Sequence, residues 1–272
     1  MVTLRLVVNA DGFGHSAPED QGILRAHRDG ILSSTNVLGN VEEPAATLGP
    51  LLDLPRMGVG VQLNLVAGTP VAGANRVPSL VNETGVFPSS PKDVVLAWAK
   101  ARLREDDLQT EFDAQVTRLR DHGISPDHLC VRHHLGFLPA VALAAENVAR
   151  RHHIEGLRVS VEMPTLAWFT EVPKGLHTAA IASLSWFSRR QLGTLRHGPQ
   201  SWGYFESGRL DEIRILEILG RLQAGNHELF CHPRLDDDPP GKRSELGALT
   251  SARVATAIAN RGIEICRWRD LF

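Results

Sequence analysis

Residues 4–16 read Leu-Arg-Leu-Val-Val-Asn-Ala-Asp-Gly-Phe-Gly-His-Ser and decide the fold of this 272-residue chain. The apolar run 4–8 predicts a buried strand, and two glycines then break the pattern before a helix predicted over 19–28. A strand end followed by a glycine-containing loop is where open α/β sheets and α/β barrels carry their chemistry. We therefore expect Asp11 to be a functional residue at a strand end, and a turn aspartate that caps the next helix is the alternative interpretation.

Strands and helices alternate along the rest of the chain. The sequence predicts strands at 30–38, 57–65, 126–135, 157–161, 228–232 and 263–266, and helices at 42–52, 92–122, 139–151, 210–222 and 246–261. Such alternation favours parallel strands joined by right-handed crossovers. With about seven strand–helix units, the expected fold class is α/β. We expect residues 1–272 to form a single domain, an irregular, parallel (β/α) barrel that is TIM-barrel-like.

Composition and charge narrow the class of partner. The formal net charge of −2 implies no bulk attraction to nucleic acid or to an anionic membrane. No apolar run approaches the roughly 20 residues that span a bilayer, and the N-terminus leads directly into a strand, so we expect no signal peptide. Three widely spaced cysteines predict reduced thiols in a cytoplasmic protein. A small molecule is the expected partner, and the sequence leaves a homo-oligomer open.

Two further segments each allow two interpretations. Residues 66–91 are rich in Gly, Pro and Asn and predict a long loop, which in a compact domain is either functional or mobile. Residues 163–203 hold Trp168, Trp186 and Trp202. This segment is either a helical excursion that packs aromatic rings on the barrel wall or an aromatic wall for a ring-shaped substrate. No dinucleotide fingerprint or P-loop follows any strand, so we expect no cofactor.

Four segments, in chain order, resemble motifs of one enzyme family. Asn-Ala-Asp-Gly-Phe-Gly at 9–14 resembles an Asn-Ala-Asp-Asp-Phe-Gly opening, and residues 58–65 resemble a Gly-Val-His-Leu-Asn-Leu strand. Residues 125–134 correspond to a segment that carries Asp-Ser-His-x-His, and Glu-Leu-Phe-Cys-His-Pro at 228–233 is similar to Glu-Leu-x-x-His-Pro. These motifs resemble those of the YdjC-like carbohydrate deacetylases, the family of the chitooligosaccharide deacetylases.

The resemblance implies a metal-dependent site whose ligands have been replaced. In the family, one Asp and two His hold a divalent metal that polarises an N-acetyl group and activates water. At the corresponding positions this chain has Gly12, Gln62 and Arg132: no side chain, a neutral amide and a permanent cation. We therefore expect no metal site. The register remains open, because His133 and His134 follow Arg132 directly.

The acid–base pair of the family is retained. The resemblance assigns Asp11 as the base and His232 as the acid, and these are the expected catalytic residues. The expected substrate-binding residues are His15, Gln62, Asn64, Arg132, His133 and His134. Arg132 is expected to keep Asp11 ionised by placing a positive charge beside it. Glu19 and Asp20 are either favourable charges at a helix start or part of the site.

These residues predict an enzyme that works by acid–base catalysis without a metal. The expected substrate is a small polar, sugar-like or amine/aldehyde compound. One reaction that needs only an acid and a base is a Pictet–Spengler-type condensation and cyclisation in a biosynthetic pathway. A metal-dependent N-deacetylase of an acetylated sugar and a non-catalytic binding protein are the alternatives.

Overall fold

The fold is a curled parallel β-sheet covered by helices. The computed structural model describes residues 3–162, 168, 171–192, 196–236 and 242–272. Its strands are β1 (Leu4–Phe13), β2 (Ser34–Leu38), β3 (Gly58–Leu63), β4 (His128–Val131), β5 (Gly156–Arg158), β6 (Arg196–His197), β7 (Gln200–Trp202), β8 (Gly225–Cys231) and β9 (Glu264–Ile265). Its helices are α1 (Ala17–Asp29), α2 (Pro44–Leu52), α3 (Pro91–Ala99), α4 (Glu105–Asp121), α5 (Pro139–Arg151), α6 (Val172–Gln191), α7 (Glu212–Arg221), α8 (Lys242–Leu249) and α9 (Ala252–Asn260).

The sheet order is β6-β5-β4-β3-β2-β1-β8-β7, and β9 pairs with β1. Every pair of strands described is parallel. A parallel backbone bridge between Glu162 and Ser201 joins the segment after β5 to β7. The sheet therefore curls back on itself, which confirms the predicted barrel-like α/β fold.

Alternation along β1 sends its side chains to two different environments. Leu6, Val8 and Ala10 belong to the main hydrophobic core and are fully buried. Residues Asn9 and Asp11 alternate with them on the opposite face, and both are also buried. This alternation of polar and apolar residues along β1 gives the barrel a polar interior and an apolar core outside it.

Several predicted elements have different bounds in the structure. The strand predicted over 126–135 ends at Val131, and a 3₁₀ segment follows over Arg132–Phe137. Within that segment His133 and His134 have φ values of 54° and 56°, in the left-handed region. The two histidines therefore lie in a tight turn beyond the strand rather than on it.

The long loop at 66–91 contains two short 3₁₀ helices, Ala74–Arg76 and Pro78–Leu80. It is attached to α4, because the Glu111 carboxylate accepts hydrogen bonds from two backbone N–H groups of the loop at 2.9 Å. The segment at 163–203 contains α6, and the parts of its interpretation that concern 163–167, 169–170 and 193–195 lie outside the described residues. Among the residues described, no helix has the length and apolar character required to cross a bilayer.

Candidate active site

A cavity of about 850 Å³ opens at the carboxyl ends of the strands. Most of the predicted site residues line it: Asp11, His15, Gln62, Arg132, His133, His134 and His232. Glu19, Lys92, His177, Tyr204 and Ser207 also line it. Chain segments far apart in sequence thus meet at the end of the barrel where the strand-end motifs predicted a site.

Asp11 is held rigidly in the barrel interior. Its Oδ1 accepts hydrogen bonds from the side-chain amides of Asn9 at 3.0 Å and Asn36 at 2.7 Å, and its Oδ2 contacts Nη2 of Arg158 at 2.5 Å. Burial raises the pKa of Asp11, but the opposing effects of the Arg158 charge and hydrogen bond, the His232 ring and Asn36 lower it to about 2. Asp11 is therefore an anion throughout the physiological pH range.

Arg158, at the end of β5, is the cation that pairs with Asp11. The sequence had predicted that Arg132 would supply this charge, so the structure corrects the identity of the cation. Arg158 Nη1 contacts Glu228 at 3.1 Å, so one guanidinium joins two buried carboxylates. Burial raises the pKa of Glu228 although Arg158 opposes this. A signal was present in the sequence, because a lone arginine within a predicted buried strand requires an anionic partner.

His232 follows β8 and is fixed through its backbone. Its N–H donates to the Glu245 carboxylate at 2.6 Å, and its half-buried ring reaches the cavity. The ring influences the pKa of Asp11 and of both neighbouring histidines in the cavity. His232 therefore lies close enough to Asp11 to act on the same bound molecule.

His133 and His134 are neutral groups at physiological pH. Burial, followed by the positive charge of Arg132, lowers the pKa of His133 to about 4. Burial, followed by the charge of Arg158, lowers the pKa of His134 to about 3. The His134 ring also packs at 4.6 Å from the ring of Tyr204. These two side chains can donate or accept hydrogen bonds, but they do not supply positive charge.

The structure places Asn64 in a buried network of hydrogen bonds, apart from the other predicted substrate-binding residues. Its side-chain amide donates to Asn40 Oδ1 at 2.8 Å and to the Ala67 carbonyl at 3.2 Å, and its Oδ1 accepts from the Val66 N–H at 3.0 Å. The side chain is fully buried and is not among the described lining residues of the cavity. Strand β3 ends at Leu63, so the alternation that points Gln62 into the cavity stops before Asn64.

The cavity lining combines polar and apolar side chains. The apolar ones include Val95 on α3, Leu135 and Phe137 after β4, and Ala180, Ile181 and Leu184 on α6. None of the three tryptophans of 163–203 belongs to the described lining. Trp168 and Trp202 are buried, which fits the packing interpretation, whereas Trp186 is 53% exposed and borders a second, smaller cavity.

The family model described as YdjC-like protein matches residues 5–260. The chain therefore belongs to the YdjC-like family. A carbohydrate deacetylase of Geobacillus stearothermophilus is 30% identical over 98% of this chain and 97% of its own length. A chitooligosaccharide deacetylase of Proteus mirabilis is 28% identical over 98% of both chains. This chain thus has the scaffold of the carbohydrate deacetylases.

A solved structure supports the same architecture. The crystal structure of a putative cellobiose-phosphate cleavage protein from Enterococcus faecalis superposes with a TM-score of 0.77 and covers 99% of both chains at 24% identity. At that identity the likeness shows the fold alone.

Gly12, Gln62 and Arg132, the residues that the resemblance assigns to the metal-ligand positions, do not suit a divalent metal. Gly12 has no ligand atom, and its φ of 95° lies in a region that residues with a side chain rarely adopt. Gln62 offers an amide, and the cationic guanidinium of Arg132 repels a metal ion. No cluster of three or more His, Cys, Asp or Glu side chains suited to a metal occurs in the part of the chain that the structure describes.

Proposed function

We propose that this protein is an acid–base enzyme that uses the carbohydrate deacetylase scaffold without the divalent metal of the family. One observation carries the proposal. Gly12, Gln62 and Arg132, which the resemblance assigns to the three ligand positions, line one cavity together with Asp11 and His232. Loss of the metal removes the activated water for amide hydrolysis, and the two proton-transfer groups remain.

The lining of the cavity suggests the substrate. Polar side chains on β1 and β3 and after β4 and β8 share the cavity with apolar side chains from α3, α6 and the turn after β4. A molecule with a polar reacting group and an apolar ring or chain would match both kinds of side chain. An arylalkyl amine together with an aldehyde has this character, and a sugar-like compound would use mainly the polar side chains.

The roles of the residues follow from their charge. Nitrogen of the amine attacks the aldehyde carbon, and protonated His232 supplies a proton to the carbonyl oxygen, which becomes a hydroxyl. One N–H proton of the adduct then passes to this hydroxyl, and the C–O bond breaks to release water. Arg132 and Gln62 hold the carbonyl oxygen during this step. The resulting iminium ion is stabilised by the Asp11 anion.

Ring closure then forms a carbon–carbon bond to the iminium carbon. The cationic ring intermediate loses a C–H proton to Asp11, and a carboxylate with a pKa of about 2 can accept a proton from so strong an acid. The net reaction is amine plus aldehyde giving a cyclic amine plus water. This is a Pictet–Spengler-type step, and its place would be in a biosynthetic pathway.

We further propose that residues 1–272 act as one domain in the cytoplasm. The main hydrophobic core is one contiguous cluster with members from Leu6 to Ile263. All three cysteines are buried free thiols, as a reducing compartment would maintain them.

Metal-dependent N-deacetylation is the second candidate function. It is favoured by the names of the relatives, which are carbohydrate and chitooligosaccharide deacetylases. It requires that this chain bind a metal through residues other than the three at the ligand positions of the family. Metal content and acetate release therefore separate the two candidates.

The test combines elemental analysis with two assays. Purified protein is expected to contain far less than one divalent ion per chain. It should convert an arylethylamine and an aldehyde to the cyclic amine at the same rate before and after dialysis against a chelator. Acetate release from N-acetylated chitooligosaccharides is measured alongside, with the Proteus mirabilis relative as the control. About one tightly held ion per chain, together with acetate release that a chelator abolishes, would establish the deacetylase instead.

A further inference from the structure

His15 and Glu19 meet at the turn between β1 and α1. The backbone N–H of His15 donates to the Gly12 carbonyl at 3.0 Å, which closes the turn. The backbone N–H of Gly14 donates to the Asp20 carboxylate at 2.6 Å. Helix α1 then begins at Ala17. This local geometry places residues 15 and 19 on the same side, four positions apart, and both line the cavity.

The contact between the two side chains is short and asymmetric. His15 Nδ1 lies 2.6 Å from Glu19 Oε2, and the His15 side chain is 50% exposed whereas that of Glu19 is 9% exposed. The Glu19 carboxylate also has Arg234 Nη1 at 3.6 Å, and burial lowers the pKa of Arg132 against the opposing charge of Glu19. The nearly buried Glu19 carboxylate thus lies near two arginines, with an accessible imidazole in front of it.

The Glu19 carboxylate lies beside Gly12. A Cβ atom placed on Gly12 would lie 3.9 Å from Glu19 Oε2. Glu19 therefore reaches the space beside Gly12, where the second aspartate of the family motif would project its own side chain. The negative charge that the family keeps at this point is supplied here by a residue from the next helix.

We propose that His15 is a further proton-transfer residue of this cavity and that Glu19 is its positioning residue. The Glu19 carboxylate accepts the Nδ1–H proton, so the Nε2 lone pair of His15 is directed to the bound molecule. Nε2 takes one proton from the ammonium form of the substrate amine, which frees the nitrogen lone pair. The imidazolium is stabilised by Glu19 and returns the proton to solvent through its exposed side.

This inference rests on the proposed function for its substrate, and the chemistry of Asp11 supports it. A carboxylate with a pKa of about 2 is a poor acceptor for an ammonium proton, because a base works best with a pKa near the working pH. His133 and His134 are also poor candidates, since burial lowers their pKa values to about 4 and about 3, well below the working pH. His15 is half-exposed and has a carboxylate on one nitrogen, which is the arrangement that the deprotonation step requires.

The test measures the tautomer of His15 and therefore needs no turnover. Protein labelled with ¹⁵N-histidine is examined by long-range ¹⁵N–¹H correlation at about pH 8, where histidines are mostly neutral, and His15→Asn identifies the signals. We expect the Nδ1–H tautomer in the wild type and its loss in Glu19→Gln. Asp29→Asn is the matched control, because it removes an exposed carboxylate from the opposite end of α1.

Reactivity gives a second, independent measurement. Diethyl pyrocarbonate acylates unprotonated imidazole nitrogen, and mass spectrometry can follow His15 and His27 separately. His27 is the internal reference, since its Nδ1 is hydrogen-bonded to the Leu32 carbonyl at 2.8 Å and does not depend on Glu19. We expect Glu19→Gln to slow acylation of His15 relative to His27, and Asp29→Asn to leave the ratio unchanged.

The pairing of His15 with Glu19 would be overturned if the wild type held the Nε2–H tautomer. It would also be overturned if Glu19→Gln changed neither the tautomer nor the reactivity of His15. Where the amine and aldehyde pair is converted, His15→Asn and Glu19→Gln should each lower kcat by about tenfold or more, and the double variant should be no slower than His15→Asn. Unchanged kcat in both variants would overturn the catalytic role. Failure of the proposed function appears separately, as bound metal or as absence of conversion by the wild type.

Discussion

Replacement of Arg158 by methionine gives the strongest test of the site geometry. The guanidinium joins Asp11 at 2.5 Å and Glu228 at 3.1 Å, and both carboxylates are buried. Met is similar in length but neutral, so Arg158→Met leaves two buried carboxylates without their cation. Removal of one partner from a buried ion pair costs about 3–5 kcal/mol, and we expect a loss of that size at neutral pH.

The pH dependence of the loss has a defined sign. In the wild type the pKa of Asp11 is lowered from 3.8 to about 2, which corresponds to about 2 kcal/mol of stability that is present above pH 3.8 and lost as the pH falls toward 2. Without Arg158, burial is opposed only by the smaller effects of His232 and Asn36, so we expect the pKa of Asp11 to rise above 3.8. The variant then loses stability as the pH rises above 3.8, so the difference between the two proteins should be larger at pH 7 than at pH 4.

Urea unfolding at both pH values measures this difference. Arg151→Met is the control, because Arg151 pairs with Asp113 on the surface, where the two side chains are 52% and 34% exposed. An exposed pair of this kind contributes at most about 1 kcal/mol. If Arg158→Met costs no more than Arg151→Met, and costs the same at both pH values, the account of Asp11 as a buried anion held by Arg158 is refuted.

Two further predictions concern activity and the thiols. In the amine and aldehyde assay, Asp11→Asn and His232→Gln should each lower kcat by about 10²–10⁴-fold while the circular dichroism spectrum is kept, and near-normal turnover by both folded variants would contradict their roles. Burial raises the pKa of all three cysteine thiols, Cys130, Cys231 and Cys266, so a thiol-disulfide reagent should label none of them until denaturant is added. Rapid labelling of the native protein would show that these side chains are accessible.

The fold was predictable because each strand and helix carries its own periodicity. The apolar run before Asp11 and the alternation around Gln62 placed those residues at strand ends, and the structure has them there. The turn after β4 was not predictable in the same way. His133 and His134 adopt positive φ angles that no hydrophobic pattern encodes, and only a glycine or asparagine at those positions would have signalled them.

The predicted site residues could be identified because each lies at or just after the end of a predicted strand. The residues that were missed contact Asp11 from other strands of the sheet. Asn36 reaches Asp11 because β1 and β2 pair in a register that sets these two residues opposite each other. Arg158 reaches Asp11 only because the sheet curls, and its Nη2 bond joins residues 147 positions apart. Such contacts depend on strand order and curvature, which a pattern along one segment does not contain.

The place of β1 in the sheet has a consequence for how the chain reaches this structure. β1 pairs with β2, which follows it closely, but its other neighbours are β8 and β9, and the contact between Cys231 and Asn9 joins residues 222 positions apart. Contacts of such sequence separation are slow to form because a long loop must close first. During synthesis the strand that carries Asp11 leaves the ribosome well before β8, its second partner, has been made. Until then its hydrogen-bonding edge is open to association with other chains, so β1 is the segment where nascent or truncated forms of this protein should aggregate.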